Sequence, residues 1–121
     1  IVVIEGAAFG VARGNALVSL GELRGVVRVA LFEAGLPVVE VAPASLKRYA
    51  SGRGNASKAD VLVAAVKRLG YTGSSDDEAD ALWLLAMALD QYDEIRSPVP
   101  KAQREALSRV GWPAATALVA A

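Results

Sequence analysis

Four acids fall within five residues at Asp76-Asp77-Glu78-Ala79-Asp80, and a fifth, Glu5, closes the apolar run Ile1-Val2-Val3-Ile4. Ser75 is followed three residues later by Glu78, just ahead of Leu82-Trp83-Leu84-Leu85-Ala86, which is the capping-box spacing of a helix start. In that helix Asp77 and Asp80 project from one face, close enough to share a hard cation. Acids in a first helical turn also complement the helix dipole, yet a cap needs fewer than four of them. Glu5 shifts the balance toward metal chemistry, because an acid ending a buried strand has no capping duty.

Composition removes most other chemistries. The 121 residues contain no cysteine and no histidine. Disulfides, thiolate nucleophiles, zinc–cysteine sites, serine–histidine triads and histidine metal ligands are therefore excluded, and the lack of cysteine suits a reducing compartment. Carboxylates, lysine, hydroxyls and a bound hard metal remain. The chain is one domain at most, with enough residues for a real core. Its 54% apolar content and mean hydropathy of +0.36 look membrane-like. Arg24, Arg28, Glu33, Asp60 and Lys67 nevertheless interrupt every candidate span, so no membrane association is expected.

The formal net charge of zero hides a segregation. Residues 11–72 carry nine Lys/Arg against four acids, whereas residues 73–95 carry seven acids and no base. An acidic pocket beside a basic surface suits a metal-dependent enzyme acting on a polyanion. The same bases also serve as ordinary solvated helix faces at Arg24, Arg28, Lys67 and Arg68, and a pI near 6.5 argues against purely electrostatic nucleic-acid binding.

The elements that must position these residues follow from periodicity and punctuation. Residues 1–5 read as a strand. The apolar spacing of Ala16, Leu20, Leu23, Val27, Ala30, Leu31 and Ala34 predicts a helix over 15–34, stopped by Gly35 and Pro37. Gly21 and Gly25 lie one turn apart inside it at a cost of about 1 kcal/mol each. That cost implies a closely approaching backbone, with a sheet the first expectation and a partner subunit the second. Residues 38–42 form a second strand ended by Pro43, and 44–50 a short helical turn. A flexible glycine loop over 51–57 precedes a helix at 58–69. The acidic helix runs to about Tyr92, a rigid linker spans 97–100, and 101–110 form an amphipathic helix stopped by Gly111. Two strands are too few for an independently stable sheet, so further pairing is expected from upstream residues or another chain.

In this order, Val2-Val3-Ile4-Glu5, Leu20-Gly21-Glu22-Leu23-Arg24-Gly25-Val26, Gly54-Asn55-Ala56-Ser57-Lys58 and Asp77-Glu78-Ala79-Asp80-Ala81-Leu82 resemble the RuvC family of Holliday-junction resolvases. The resemblance covers roughly residues 1–92. It implies an α/β, RNase H-like (RuvC-type) mixed sheet flanked by helices, here without its first strands. Residues 1–95 would be the larger C-terminal part of the nuclease domain, and 96–121 a helical tail outside the resemblance. Three of the family's four active-site carboxylates map onto Glu5, Asp77 and Asp80; the fourth, an aspartate on the family's first strand, has no counterpart and is expected before residue 1. Lys58 matches the family's essential basic residue near the scissile phosphate. Phe9 stands near the position of an aromatic that stacks on bases, and Arg53 and Arg13 join Lys58 as DNA contacts.

The implied activity is structure-selective cleavage of four-way DNA junctions by two Mg²⁺ or Mn²⁺ ions held about 4 Å apart. It implies a homodimer, because a near-two-fold junction needs symmetric cuts, acting in a bacterial or phage-infected cytoplasm. A second reading is a non-catalytic nucleic-acid-binding or assembly module that has lost the first-strand aspartate. A third, half of a sugar-kinase-like ATPase, needs a glycine-rich phosphate loop that is not apparent.

Overall fold

The computed structural model describes residues 1–7 and 14–119. Phe9 and Arg13 therefore lie outside the described residues. The chain runs β1 (Val2–Glu5), α1 (Asn15–Glu33), β2 (Val38–Val41), α2 (Pro43–Ser51), α3 (Lys58–Leu69), α4 (Asp76–Gln91), α5 (Lys101–Arg104), a 3-10 turn (Glu105–Arg109) and α6 (Ala115–Val119). β1 and β2 pair in parallel with Val2 opposite Val38 and Glu5 opposite Val41. A parallel pair needs a long crossover, and α1 supplies it. Among the described residues the sheet has these two strands.

The core lies between β2 and helices α2, α3 and α4. Its largest fully buried side chains are Trp83, Tyr49, Leu46, Met87, Val41 and Val61. Trp83 and Tyr49 meet edge to face with centroids 5.9 Å apart, a favoured aromatic geometry. The Trp83 indole N–H donates to the Val61 carbonyl at 3.2 Å, so α4 is keyed to α3. Residues beyond 96 join the same core through Val99, Ala106 and Leu107.

Local signals set the helix ends. Ser57 caps α3 with a reciprocal box: its hydroxyl accepts from the Asp60 N–H at 3.1 Å, and its own N–H donates to the Asp60 carboxylate at 3.0 Å. Those bonds hold the Asp60 carboxyl below the usual range. Replacing Ser57 by alanine is expected to cost about 1 kcal/mol in urea denaturation. Gly70 ends α3 at φ 69°, a left-handed conformation that glycine takes without strain.

Two expectations are corrected. No sheet approaches Gly21 or Gly25: among the described residues nothing lies within 4 Å of a Cβ built at either glycine. No residue of α1 is buried, and Leu23, Val26, Val29 and Phe32 are all exposed. α1 is tied to the sheet by charged pairs instead, Arg24 and Arg28 both meeting Glu40 at 3.2 and 2.7 Å. The second correction concerns 101–110, which forms α5 and then a 3-10 turn rather than one helix. Gln103 and Arg104 turn inward there to make tertiary hydrogen bonds, which override local helix propensity.

Candidate active site

β1 and β2 end beside the N-termini of α3 and α4, and a cavity of about 520 Å³ opens between them. Glu5, Asp77, Asp80, Lys58, Lys47 and Arg24 line it. Each acid is placed by the element that carries it. Glu5 is the last residue of β1, its backbone fixed by pairing with Val41. Asp77 and Asp80 stand in the opening turns of α4, where the Ser75 hydroxyl accepts the Glu78 N–H at 3.3 Å. Tyr71 steadies the same cap, donating to the Glu78 carboxylate at 2.5 Å and accepting from the Ser75 N–H at 3.2 Å.

The electrostatics set burial and repulsion among the acids against the nearby charges of Lys58 and Lys47. Burial raises the Glu5 carboxyl above its usual range, and the charge of Asp80 raises it further. Burial likewise raises Asp80, with Asp76 and Asp77 adding to it while Lys58 pulls it down. Glu5 and Asp80 thus share one half-buried site, in which Lys58 and Lys47 offset part of the repulsion among the acids.

Lys58 reaches the cavity as expected, but its ammonium is bonded to Asp76 at 2.9 Å. That contact raises the Lys58 pKa and lowers that of Asp76. Asp76 belongs to the acidic turn, and the sequence gives it no role of its own. Arg53 pairs with Asp60 at 3.1 Å and is not among the residues lining the cavity.

Two charged lining residues, Lys47 and Arg24, escaped the sequence reading as site residues. Lys47 lies one turn beyond Pro43, the first residue of α2, so the proline and the helical period together could have marked its face. Arg24 donates from Nη1 to the Glu5 main-chain carbonyl at 2.8 Å while Nη2 pairs with Glu40, which ties α1 to the acidic end of β1. Only a tertiary contact reveals that role.

The lining offers oxygen donors alone, which suits a hard cation such as Mg²⁺. Among the described residues no three acids stand close enough to form a ligand set by themselves. The three expected carboxylates are brought to one cavity rather than to one cluster. Mg²⁺ commonly takes one or two carboxylates and fills its shell with water and substrate phosphate. The residues present fit that manner of binding.

A parallel strand pair ending on an acid, with further acids entering from a helix N-terminus, is an α/β arrangement, and its likeness to a solved structure assigns it to the RNase H-like fold class. A family model described as "Crossover junction endodeoxyribonuclease RuvC" matches residues 2–90. Proteins of that name from Anaeromyxobacter sp. (strain Fw109-5) and Myxococcus xanthus (strain DK1622) are 40% and 38% identical to this chain over 108 and 111 residues. Those alignments cover 89% and 91% of this chain but 52% and 57% of the relatives. A solved structure, "Thermus thermophilus RuvC structure", matches with a TM-score of 0.56 at 27% identity, covering 78% of this chain and 59% of that one. The chain belongs to the RuvC family, as its motifs implied, and spans little more than half the length of these curated relatives. Among the described residues, no helix is long and apolar enough to cross a membrane.

Proposed function

We propose that this chain carries the catalytic surface of a metal-dependent endonuclease that cuts four-way DNA junctions. The convergence of Glu5, Asp77 and Asp80 with Lys58 and Lys47 on one cavity carries the reading. Glu5, Asp77 and Asp80 would hold Mg²⁺ or Mn²⁺, which supplies Lewis-acid activation of water and stabilisation of the leaving oxygen, by two ions in the full site. Lys58 and Lys47 neutralise the scissile phosphate as charge builds on it. Lys58 reaches that phosphate by exchanging its bond to Asp76 for one to DNA. Arg24 keeps the Glu5 backbone in register with α1. The names of the relatives support the choice of a crossover junction as substrate.

The exposed apolar face of α1 supports a homodimer. Leu17, Leu20, Gly21 and Gly25 border a groove of about 440 Å³ into which a second α1 can settle, the glycines letting the backbones approach closely. Large exposed apolar patches of this kind mark interaction sites. The alternative is a non-catalytic binding or assembly module of the same fold, and one experiment separates the two. Synthetic four-way, flap and duplex DNA are incubated with the chain and Mg²⁺ or EDTA. The expected result is Mg²⁺-dependent cleavage strongest on the four-way substrate, reduced about 10²–10³-fold by Lys58→Ala. Binding without cleavage in any metal supports the module; cleavage that persists in EDTA overturns the metal reading.

A further inference from the structure

A second cavity, of about 360 Å³, borders α2 and has no part in the reading above; Arg48, Gly52, Gln103, Glu105 and Arg109 line it. Arg48 follows Lys47 directly on α2, and adjacent residues project about 100° apart around a helix. The two side chains accordingly serve different cavities. Gln103 and Arg109 lie beyond residues 2–90, the stretch that the family model matches.

Among the described residues Arg48 and Arg109 belong with Lys47, Lys67, Arg68 and Lys101 as bases that form no ion pair. The other described bases, Arg24, Arg28, Arg53, Arg96, Arg104 and Lys58, are committed to acids. Glu105, the single acid in the lining, pairs with neither arginine. Two guanidiniums against one carboxylate leave the cavity positive.

Gln103 adds an oriented neutral donor. Its side chain is buried, and its Oε1 accepts from Arg68 Nη1 at 2.7 Å. Arginine can only donate, so this bond fixes which end of the amide is oxygen. The NH₂ end is therefore turned to Gly52, where Nε2 would lie 3.1 Å from an added Cβ. Gly52 holds φ +88° there, so the position is both conformationally and sterically suited to glycine.

Paired guanidiniums with an amide donor match the oxygens of a phosphate. No aromatic side chain lines the cavity, which argues against a base or a flat organic ligand. The Arg48 side chain also borders the loop that precedes α3. Arg48 Nη2 lies 3.6 Å from a Cβ built at Gly54, in the loop that leads to Lys58. A DNA strand whose scissile phosphate meets Lys58 and Lys47 would pass this loop.

We propose that Arg48, Arg109 and the Gln103 amide form a second phosphate site, which holds a backbone phosphate of the junction away from the point of cleavage. The site rests on the nucleic-acid reading and extends it to the C-terminal segment. Its test is the salt dependence of four-way DNA binding, followed by fluorescence anisotropy with the full chain. Each phosphate contact contributes about 0.9 to the slope of log K against log salt. The Arg48→Gln/Arg109→Gln double variant is expected to bind about tenfold more weakly, with a slope shallower by about 2. Arg48→Lys/Arg109→Lys should restore the slope, and Lys67→Gln, an exposed base remote in role, should leave it unchanged. Glu105→Gln removes the opposing charge and should tighten binding.

A double glutamine variant that melts like the parent and keeps its affinity and slope overturns the site. Should that variant fail to fold, an unaltered affinity in Glu105→Gln does the same. A parent chain that binds DNA without cutting it removes the nuclease reading and leaves this site to stand on its slope. A parent chain that does not bind DNA removes both.

Discussion

Replacing Asp80 by asparagine is expected to lower metal-dependent junction cleavage by about 10³-fold while raising the melting temperature in metal-free buffer at neutral pH. The first effect follows from the reading of Asp80 as a metal ligand: such a group supports several kcal/mol of charge stabilisation, and each 1.36 kcal/mol is about tenfold in rate. The second follows from its surroundings. Burial holds the Asp80 carboxyl above its usual range, and Asp76 and Asp77 act in the same direction. A carboxyl with a raised folded-state pKa is more easily protonated folded than unfolded, so stability falls as pH rises from the unfolded value through the folded one. The amide escapes that loss. Its advantage should be present at neutral pH and vanish below about pH 4, the unfolded carboxylate range. Mg²⁺ should raise the melting temperature of the parent by mass action and do so much less in the variant. A variant that melts below the parent, or that keeps cleavage within tenfold, removes Asp80 from the metal site.

Much of this site was legible because helix geometry is rigid and caps are local. The spacing of Asp77 and Asp80 gave them a common face, and Ser75 marked one helix start. Asn55 and Ser57 both stood as caps for another that the structure gives to Ser57, and Gly35 and Gly70 marked two ends. Glu5 could be placed because a strand that ends on an acid leaves few structural reasons for it. Periodicity, however, reports that a face is apolar and not what covers it. The stripe along α1 reads as a core face, yet all of it is exposed or half-buried, and the glycines meet no sheet.

Side-chain partners that cross between elements were equally invisible. The bond from Arg24 to the Glu5 carbonyl spans nineteen positions, and that from Lys58 to Asp76 joins two helix N-termini. Local patterns carry no information about either pair. The C-terminal segment shows the same limit: its sequence is helical, and its inward polar contacts divide it.

Among changes to the fold, Arg104→Met should be one of the most damaging, costing about 3–5 kcal/mol. Asp90 lies near the C-terminal end of α4 with 2% of its side chain exposed. It accepts Arg104 Nε at 3.2 and 2.9 Å and the Tyr49 hydroxyl at 2.7 Å. Arg104 also donates to the Ser97 carbonyl. Three segments thus meet on one buried carboxylate: α2 through Tyr49, α4 through Asp90, and the C-terminal segment through Arg104 and Ser97. Methionine fills the space of the arginine stem but strands the charge, and a buried unpaired charge is far costlier than a missing pair is valuable. The double variant Asp90→Asn/Arg104→Met removes that charge and still offers Tyr49 an acceptor. It should recover most of the loss, to within about 1–2 kcal/mol of the parent. Urea denaturation of the parent, the two single variants and the double variant gives the coupling directly. A loss below about 1 kcal/mol in Arg104→Met would mean that residues 97–109 melt apart from the core. In that case the clamp could not fix Gln103 and Arg109 beside α2, and the second phosphate site would lose its scaffold.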